Sequence, residues 1–155
     1  MVKKSVKTIW ENYLKTLPES ERKGENYTSW SFGGDADTAN ELAGLVKSGD
    51  KTATCSLHMW YKTEEESLPF IGELNIITDW EGEAEVVTET IDVKVLPFNE
   101  ASAAFAEKEG EGDKTYDYWR RVHVDFFSNE LNEIDKQFDE AMLVVCEEFK
   151  VVYMK

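Results

Sequence analysis

Four groups of residues in this chain have the types and spacing to do chemistry. The first is Gly49-Asp50-Lys51-Thr52-Ala53-Thr54. A threonine hydroxyl becomes a nucleophile only when a base removes its proton. A lysine serves as that base only where burial or a neighbouring cation lowers its pKa from about 10.4. Side chains alternate along a strand, so positions 51 and 54 of a regular strand face opposite ways. For Lys51 to meet Thr54, Lys51 must still lie in the turn. On spacing alone, Thr52 and Thr54 read more simply as ordinary strand formers and Lys51 as a solvated turn residue.

The second group is Glu107-Lys108-Glu109-Gly110-Glu111-Gly112-Asp113. Glu109, Glu111 and Asp113 are oxygen donors of the kind that hold a divalent cation, although the run is too short for an EF-hand loop. A lone carboxylate there would instead pair with Lys51 or shuttle a proton. The plainer reading is a helix end with glycine in the left-handed conformation and its acids in solvent. The third group is Tyr116, Trp119, Arg120, His123 and Phe127. Trp119 and His123 are four apart and share a helix face, which suits base stacking with a polar contact, or equally core packing around a satisfied histidine. The fourth is Tyr27, Trp30 and Phe32 beside Gly33-Gly34. Aromatics of this sort flank nucleobases, and they also fill cores.

The elements that must position these groups follow from periodicity. Val6, Ile9, Trp10, Tyr13, Leu14 and Leu17 have helical spacing, predicting a helix over 5–17. Pro18 breaks it, and a polar loop runs to Asn26. The aromatic stretch 27–34 is extended and then turns. Thr38 to Glu41 reads as a capping box for a second helix that stops at Gly49. From Thr52 the period becomes two. Strands are predicted over 52–57, 72–78 and 84–95, with a turn at Asp79 to Gly82 and a stop at Pro97. A short helix from Asn99 to about Lys108, a helix over about 115–130 and a closing strand from Met142 to Val152 complete the order. The closing strand alternates poorly, as a strand buried on both faces would. Helix, strands, helices, strand describes an α+β fold.

The composition narrows the partners. The 155 residues carry 17 Lys and Arg against 32 Asp and Glu, a net charge of −15. Arg22, Arg120 and Arg121 are the only arginines. Such a surface repels phosphate backbones and anionic membranes, which argues against duplex DNA and leaves a small nucleoside or a short single-stranded RNA. Cys55 and Cys146 form no C-x-x-C pair and read as free core thiols. Two histidines and two cysteines, all scattered, do not make a zinc set. No apolar run approaches the ~18 residues of a membrane span, and the expected location is the cytoplasm. Nothing signals a tightly bound cofactor, and nothing sets the oligomeric state.

Leu42-Ala43-x-Leu45-Val46 leading into Gly49-x-Lys51-x-x-Thr54 resembles the G-x-K-x-x-T hallmark of the ASCH family, a branch of the PUA-like superfamily. Leu68-Pro69-x-x-Gly72 and the segment from Glu109 through Tyr118-Trp119-x-x-x-His123 are similar to its longer bacterial subgroup. The resemblance runs from about Trp30 to Tyr153. It implies a small PUA-like β-barrel with flanking helices, one domain over 1–155 in which 1–26 is a helix-and-loop extension. It also implies a role in RNA or nucleoside metabolism. Short members similar in the motif are amidohydrolases that remove the acetyl group of N4-acetylcytidine. They use a Lys, a Thr three residues later and a Glu in an A-E-x-E segment. The matching positions are Lys51, Thr54 and Glu109.

That resemblance implies Lys51 as base, Thr54 as nucleophile and Glu109 orienting Lys51 or protonating the leaving amine, with no metal. Trp30, Phe32, Trp119 and His123 would line the substrate. Other ASCH proteins are described as ribonucleases. The alternatives are therefore a metal-assisted ribonuclease using Glu109, Glu111 and Asp113, or an RNA-binding module. The chain departs from the short members at Ser56, where they carry a basic residue.

Overall fold

The computed structural model describes residues 2–22, 24 and 26–155. Helix α1 (Lys4–Lys15) buries Val6, Ile9, Trp10 and Tyr13 along one stripe. A 3-10 turn at Glu19–Glu21 follows Pro18. Positions 23 and 25 of the predicted polar loop lie outside the described residues. Strand β1 (Thr28–Ser31) leads to helix α2 (Ala36–Ser48). The cap of α2 is Asp35 rather than Thr38. Its Oδ1 accepts from the Thr38 amide at 2.8 Å, so the helix starts three residues earlier than the capping box implies. Gly49 ends it at φ 87°, in the left-handed region.

Strand β2 (Ala53–Leu57) runs directly into a short helix, α3 (His58–Thr63), which the periodicity did not announce. Strands β3 (Leu74–Thr78) and β4 (Ala84–Pro97) follow. The helix expected from Asn99 begins later. A 3-10 turn takes Phe98–Glu100, and Ser102 caps α4 (Ala103–Glu109). Helix α5 (Tyr116–Asn132) and strand β5 (Leu143–Met154) close the order.

The five strands make one sheet in the order β1-β3-β4-β5-β2. β1 lies parallel to β3, and every other neighbour pair is antiparallel. Register shifts occur at Ile77/Thr78, Val87/Thr88 and Thr90/Asp92. Such bulges bend and twist a strand, and the sheet curls into a half-barrel with flanking helices, the expected PUA-like α+β architecture. The two edges, β1 and β2, are not paired with each other.

Apolar burial forms three clusters. α1 covers Leu74, Ile76 and Val87 on one face of the sheet. Phe98, Trp119, Phe127 and Leu131 pack with Cys55, Leu57, Val144 and Cys146. Phe32 and the Ala43 and Val46 stripe of α2 pack on Ile77, Val86 and Phe149. β3 is buried along its whole length, whereas β5 is doubly buried only from Val144 to Glu147, so the both-faces reading of the closing strand applies to that part alone. Among the described residues, no helix is long and apolar enough to cross a membrane.

Ile9 is buried in the α1 cluster. Ile9→Ala is expected to lower the urea-unfolding free energy by about 2–5 kcal/mol, the range for buried large-to-small changes. A loss well under that range would mean that α1 is appended to the sheet rather than part of its core.

Candidate active site

Lys51 lies in the turn between α2 and β2, as its meeting Thr54 would require. Its backbone amide donates to Leu45 O at 3.0 Å and helps to close the end of α2. The next amide, of Thr52, donates to Lys108 O at 2.7 Å and closes the end of α4. Two helix ends therefore converge on this turn. α4 stops at Gly110, whose φ is 66°. The contact is so close that a Cβ on Gly110 would stand 1.8 Å from Asp50 O. Only glycine fits there, and this approach carries Glu109 down beside Lys51.

The side chains form a closed network. Lys51 Nζ donates to Glu109 Oε1 at 2.9 Å and to Glu111 Oε2 at 3.0 Å. It also stands 5.2 Å from the centroid of the Phe32 ring. The second oxygen of Glu109 accepts from Trp119 Nε1 at 2.5 Å and faces His123 Nε2 at 3.0 Å. His123 Nδ1 lies 2.8 Å from Trp119 O. Both ring nitrogens thus face acceptors, a carbonyl and a carboxylate, so the network assigns a proton to each and makes the ring an imidazolium. Trp119 and His123 stack at 4.5 Å. Lys51 and Glu109 are each 1% exposed.

The electrostatics follow from this geometry. Burial alone would push the Lys51 ammonium down, but Glu109 and Glu111 more than reverse it and the net direction is up. The resting lysine is therefore a charged donor, not the depressed base that nucleophile activation needs. Burial would raise Glu109, yet Lys51 and His123 bring it down to about 2. Burial opposes the charge on His123 too, and Glu109 overrides it so that His123 is raised. Glu111 moves the other way. Burial raises it, and Lys51 only partly offsets this.

Glu109, Glu111 and His123 offer one ligand atom each, all within 4.8 Å of one another. Lys51 Nζ already bonds to both carboxylates, so a divalent cation would have to displace the ammonium. Asp113 is not in this group. Its Oδ1 accepts from the Thr115 amide and hydroxyl at 2.9 and 2.6 Å, at the start of α5. Trp119 and His123 spend their polar atoms on Glu109 and on the helix. Trp30 is half-buried and donates from Nε1 to Asn75 Oδ1 at 2.9 Å, with its ring 4.7 Å from Phe32.

Thr54 is half-buried on β2, directly across from Glu147 on β5. Opposed side chains share a face, and Glu147 is a neighbour of the candidate site that motif reading missed. Its Oε2 accepts from Thr90 Oγ1 at 2.6 Å. Burial raises its carboxyl, Thr90 works against that, and Glu73 adds to it. Glu73 itself accepts from Asn75 Nδ2 at 3.2 Å. Ser56 pairs with the Tyr61 hydroxyl at 2.9 Å. The face that carries Thr54 is therefore acidic. The available signal was a glutamate at an inward position of a strand otherwise lined by Val145 and Phe149.

Comparison with known proteins gives concordant results. The family described as ASCH domain matches residues 28–153. The crystal structure of an ASCH domain from Lactobacillus crispatus JV V101 superposes with a TM-score of 0.91 at 36% identity, covering 98% of this chain and 96% of that one. Protein EF3133 from Enterococcus faecalis V583 superposes at 0.85 with 39% identity, covering 96% and 88%. Hypothetical protein PH0355, at 18% identity and 0.53, shares the fold alone. No curated protein matches the chain.

Two outcomes are expected. Gly110→Ala should destabilise the protein by at least the ~1–3 kcal/mol of a left-handed non-glycine residue, measured by urea unfolding. His123 is raised by folding, so its contribution is complete below the ordinary value of about 6.5 and fades as pH rises through the folded value. The melting temperature should fall from neutral toward alkaline pH, and His123→Gln should flatten that slope. Glu109 has the opposite sign, and its contribution is lost only as pH drops below about 4.3 toward about 2.

Proposed function

The chain belongs to the ASCH domain family, and we propose that it is a metal-independent amidohydrolase that cleaves the amide of a small acylated nucleoside, N4-acetylcytidine being the first to test. The observation that carries this reading is the buried Lys51 held by Glu109 and Glu111 three residues before the half-buried Thr54. Burying charged groups is costly unless they are paired, and such clusters collect at functional sites.

In this reading Lys51 passes a proton to Glu111, the one carboxyl of the pair whose net direction is up, because burial outweighs the pull of Lys51 there. The freed amine takes the Thr54 proton as Oγ1 attacks the acyl carbon. The tetrahedral intermediate collapses, and Lys51 returns the proton to the leaving amine. Water, deprotonated by the same amine, then hydrolyses the Thr54 ester to free acid, Lys51 passing that proton to the departing Thr54 oxygen and recovering its own from Glu111. Net, one amide and one water give an amine and an acid. Glu109 keeps Lys51 in place, and Trp119 and His123 act through Glu109 as positioning residues. Trp30 and Phe32 meet the base.

The acidic face supports an uncharged ligand over a phosphorylated one, since Glu147 and Glu73 repel anions and accept from donors. The same argument favours a nucleoside, or at most a short single strand, over duplex nucleic acid. A cytoplasmic setting is part of the proposal. The metal-assisted ribonuclease reading is weakened because Lys51 holds the position between the carboxylates.

The test is release of cytidine from N4-acetylcytidine by purified protein in chelator. Thr54→Val keeps the shape of the side chain and should reduce turnover to background. Glu111→Gln should slow it by about a hundredfold or more, the usual scale of a lost acid–base group. Asp113→Asn should leave it unchanged. Absence of turnover, or turnover by Thr54→Val, would overturn the assignment. Metal-dependent cleavage of single-stranded RNA, abolished by chelator and by Glu111→Ala, would establish the ribonuclease instead.

A further inference from the structure

The chain has two cysteines, and folding places them opposite each other. Cys55 on β2 is in register with Cys146 on β5. The amide of Phe149 donates to Thr52 O, so the Thr52–Phe149 rung is hydrogen-bonded. Counting inward, Thr54–Glu147 is hydrogen-bonded and Cys55–Cys146 is not. Non-hydrogen-bonded antiparallel pairs stand about 4.5 Å apart at Cα, with side chains in close approach. A disulfide spans roughly 4.4–6.8 Å between Cα atoms. The two side chains therefore share one face of the sheet on directly opposed positions. Both are free and buried in one core with Trp119 and Phe98.

Access is unequal. Cys146 lines a surface hollow of about 370 Å³ with Ala101, Phe105, Lys108 and Glu148. Cys55 is not among its walls. Neither sulfur takes part in the chemistry of Lys51 and Thr54, yet the pair occupies the rung next to Thr54–Glu147.

We propose that Cys55 and Cys146 are a modification site: a hydroperoxide entering the hollow oxidises them to an internal cross-strand disulfide, and a thiol reductant reopens it. The Cys146 sulfur attacks the terminal peroxide oxygen, breaking the O–O bond, and becomes a sulfenic acid while the peroxide leaves as an alcohol or water. The Cys55 sulfur then attacks the sulfenic sulfur and expels water. Two thiols lose two electrons and two protons, and the peroxide gains them. Cys146 strikes first because it lines the hollow, and the Cys55 thiol, raised by the neighbouring Cys146 and by burial, closes the bond slowly. The inference is independent of the amidohydrolase reading.

The experiment treats the native protein with hydrogen peroxide and, separately, with diamide, and follows intact mass and peptide maps. The expected result is loss of two hydrogens per chain, a Cys55–Cys146 cross-linked peptide, and recovery of both thiols on reduction with dithiothreitol. Cys55→Ser should lose the cross-link and instead accumulate a dimedone-reactive sulfenic acid at Cys146. Cys55→Ala serves the same purpose if serine is not tolerated in the core. Two alkylatable thiols after both oxidants, irreversible oxidation of one sulfur with the other still free, or a disulfide between two chains would each overturn the proposal.

Discussion

A charged lysine sealed between two carboxylates is the constraint around which this structure is arranged. Removing an ammonium and a carboxylate from water costs several kcal/mol per ion after relaxation. That cost is offset only if every charge finds a partner. Here Lys51 and His123 supply two positive charges, and Glu109 and Glu111 supply the carboxylates that meet them. The remaining donor at Glu109 is the Trp119 indole. Satisfying this set fixes the register of three elements at once: the turn before β2, the end of α4 and the first two turns of α5. Gly110 is where the backbone yields to let them meet.

The network also determines which group is chemically labile. Glu109 takes hydrogen bonds on both oxygens and stays ionised. Glu111 has one cationic partner and is less deeply buried, so it is the carboxyl whose protonation state is easiest to change. Charge is thus graded across a few ångströms, from a fixed anion through an ammonium to a titratable acid. On the neighbouring face, Glu147 and Glu73 continue the acidity next to Thr54. Phosphate-binding surfaces are built with the opposite sign.

Much of this arrangement was legible in the residue order, and the illegible part has physical causes. Alternation located the strands because one period dominates wherever a sheet has one wet face. It was weakest for β5, which is wet on one face only beyond its first half. The turn position of Lys51 followed from the two-residue period of a strand. The pairing of Lys51 with the glutamate run was one of several options, because contacts across 58 residues leave no local mark. Asp35 displaced Thr38 as the cap because both residue types cap well and only backbone geometry chooses between them. Trp119 and His123 shared a face as their spacing required, but whether that face met solvent or a carboxylate depended on where α4 ended. Glu147 was hidden because it stands beside Glu148, and two adjacent glutamates do not reveal which of them faces inward.

The strand order has a consequence for how the molecule comes into being. β2 finds its hydrogen-bonding partner only in β5, which follows every other element in the sequence, and β5 bridges β2 to β4. Synthesis proceeds from the N-terminus, so Lys51 and Thr54 leave the ribosome well before the segment that will hold their strand. Until then β2 is an unpaired edge, and its closure over so long a loop is entropically slow. Assembly of the site is therefore a late event. Helix α1 and the β3–β4 hairpin draw on contacts already translated, while the end of the sheet that carries Thr54 waits for its last strand.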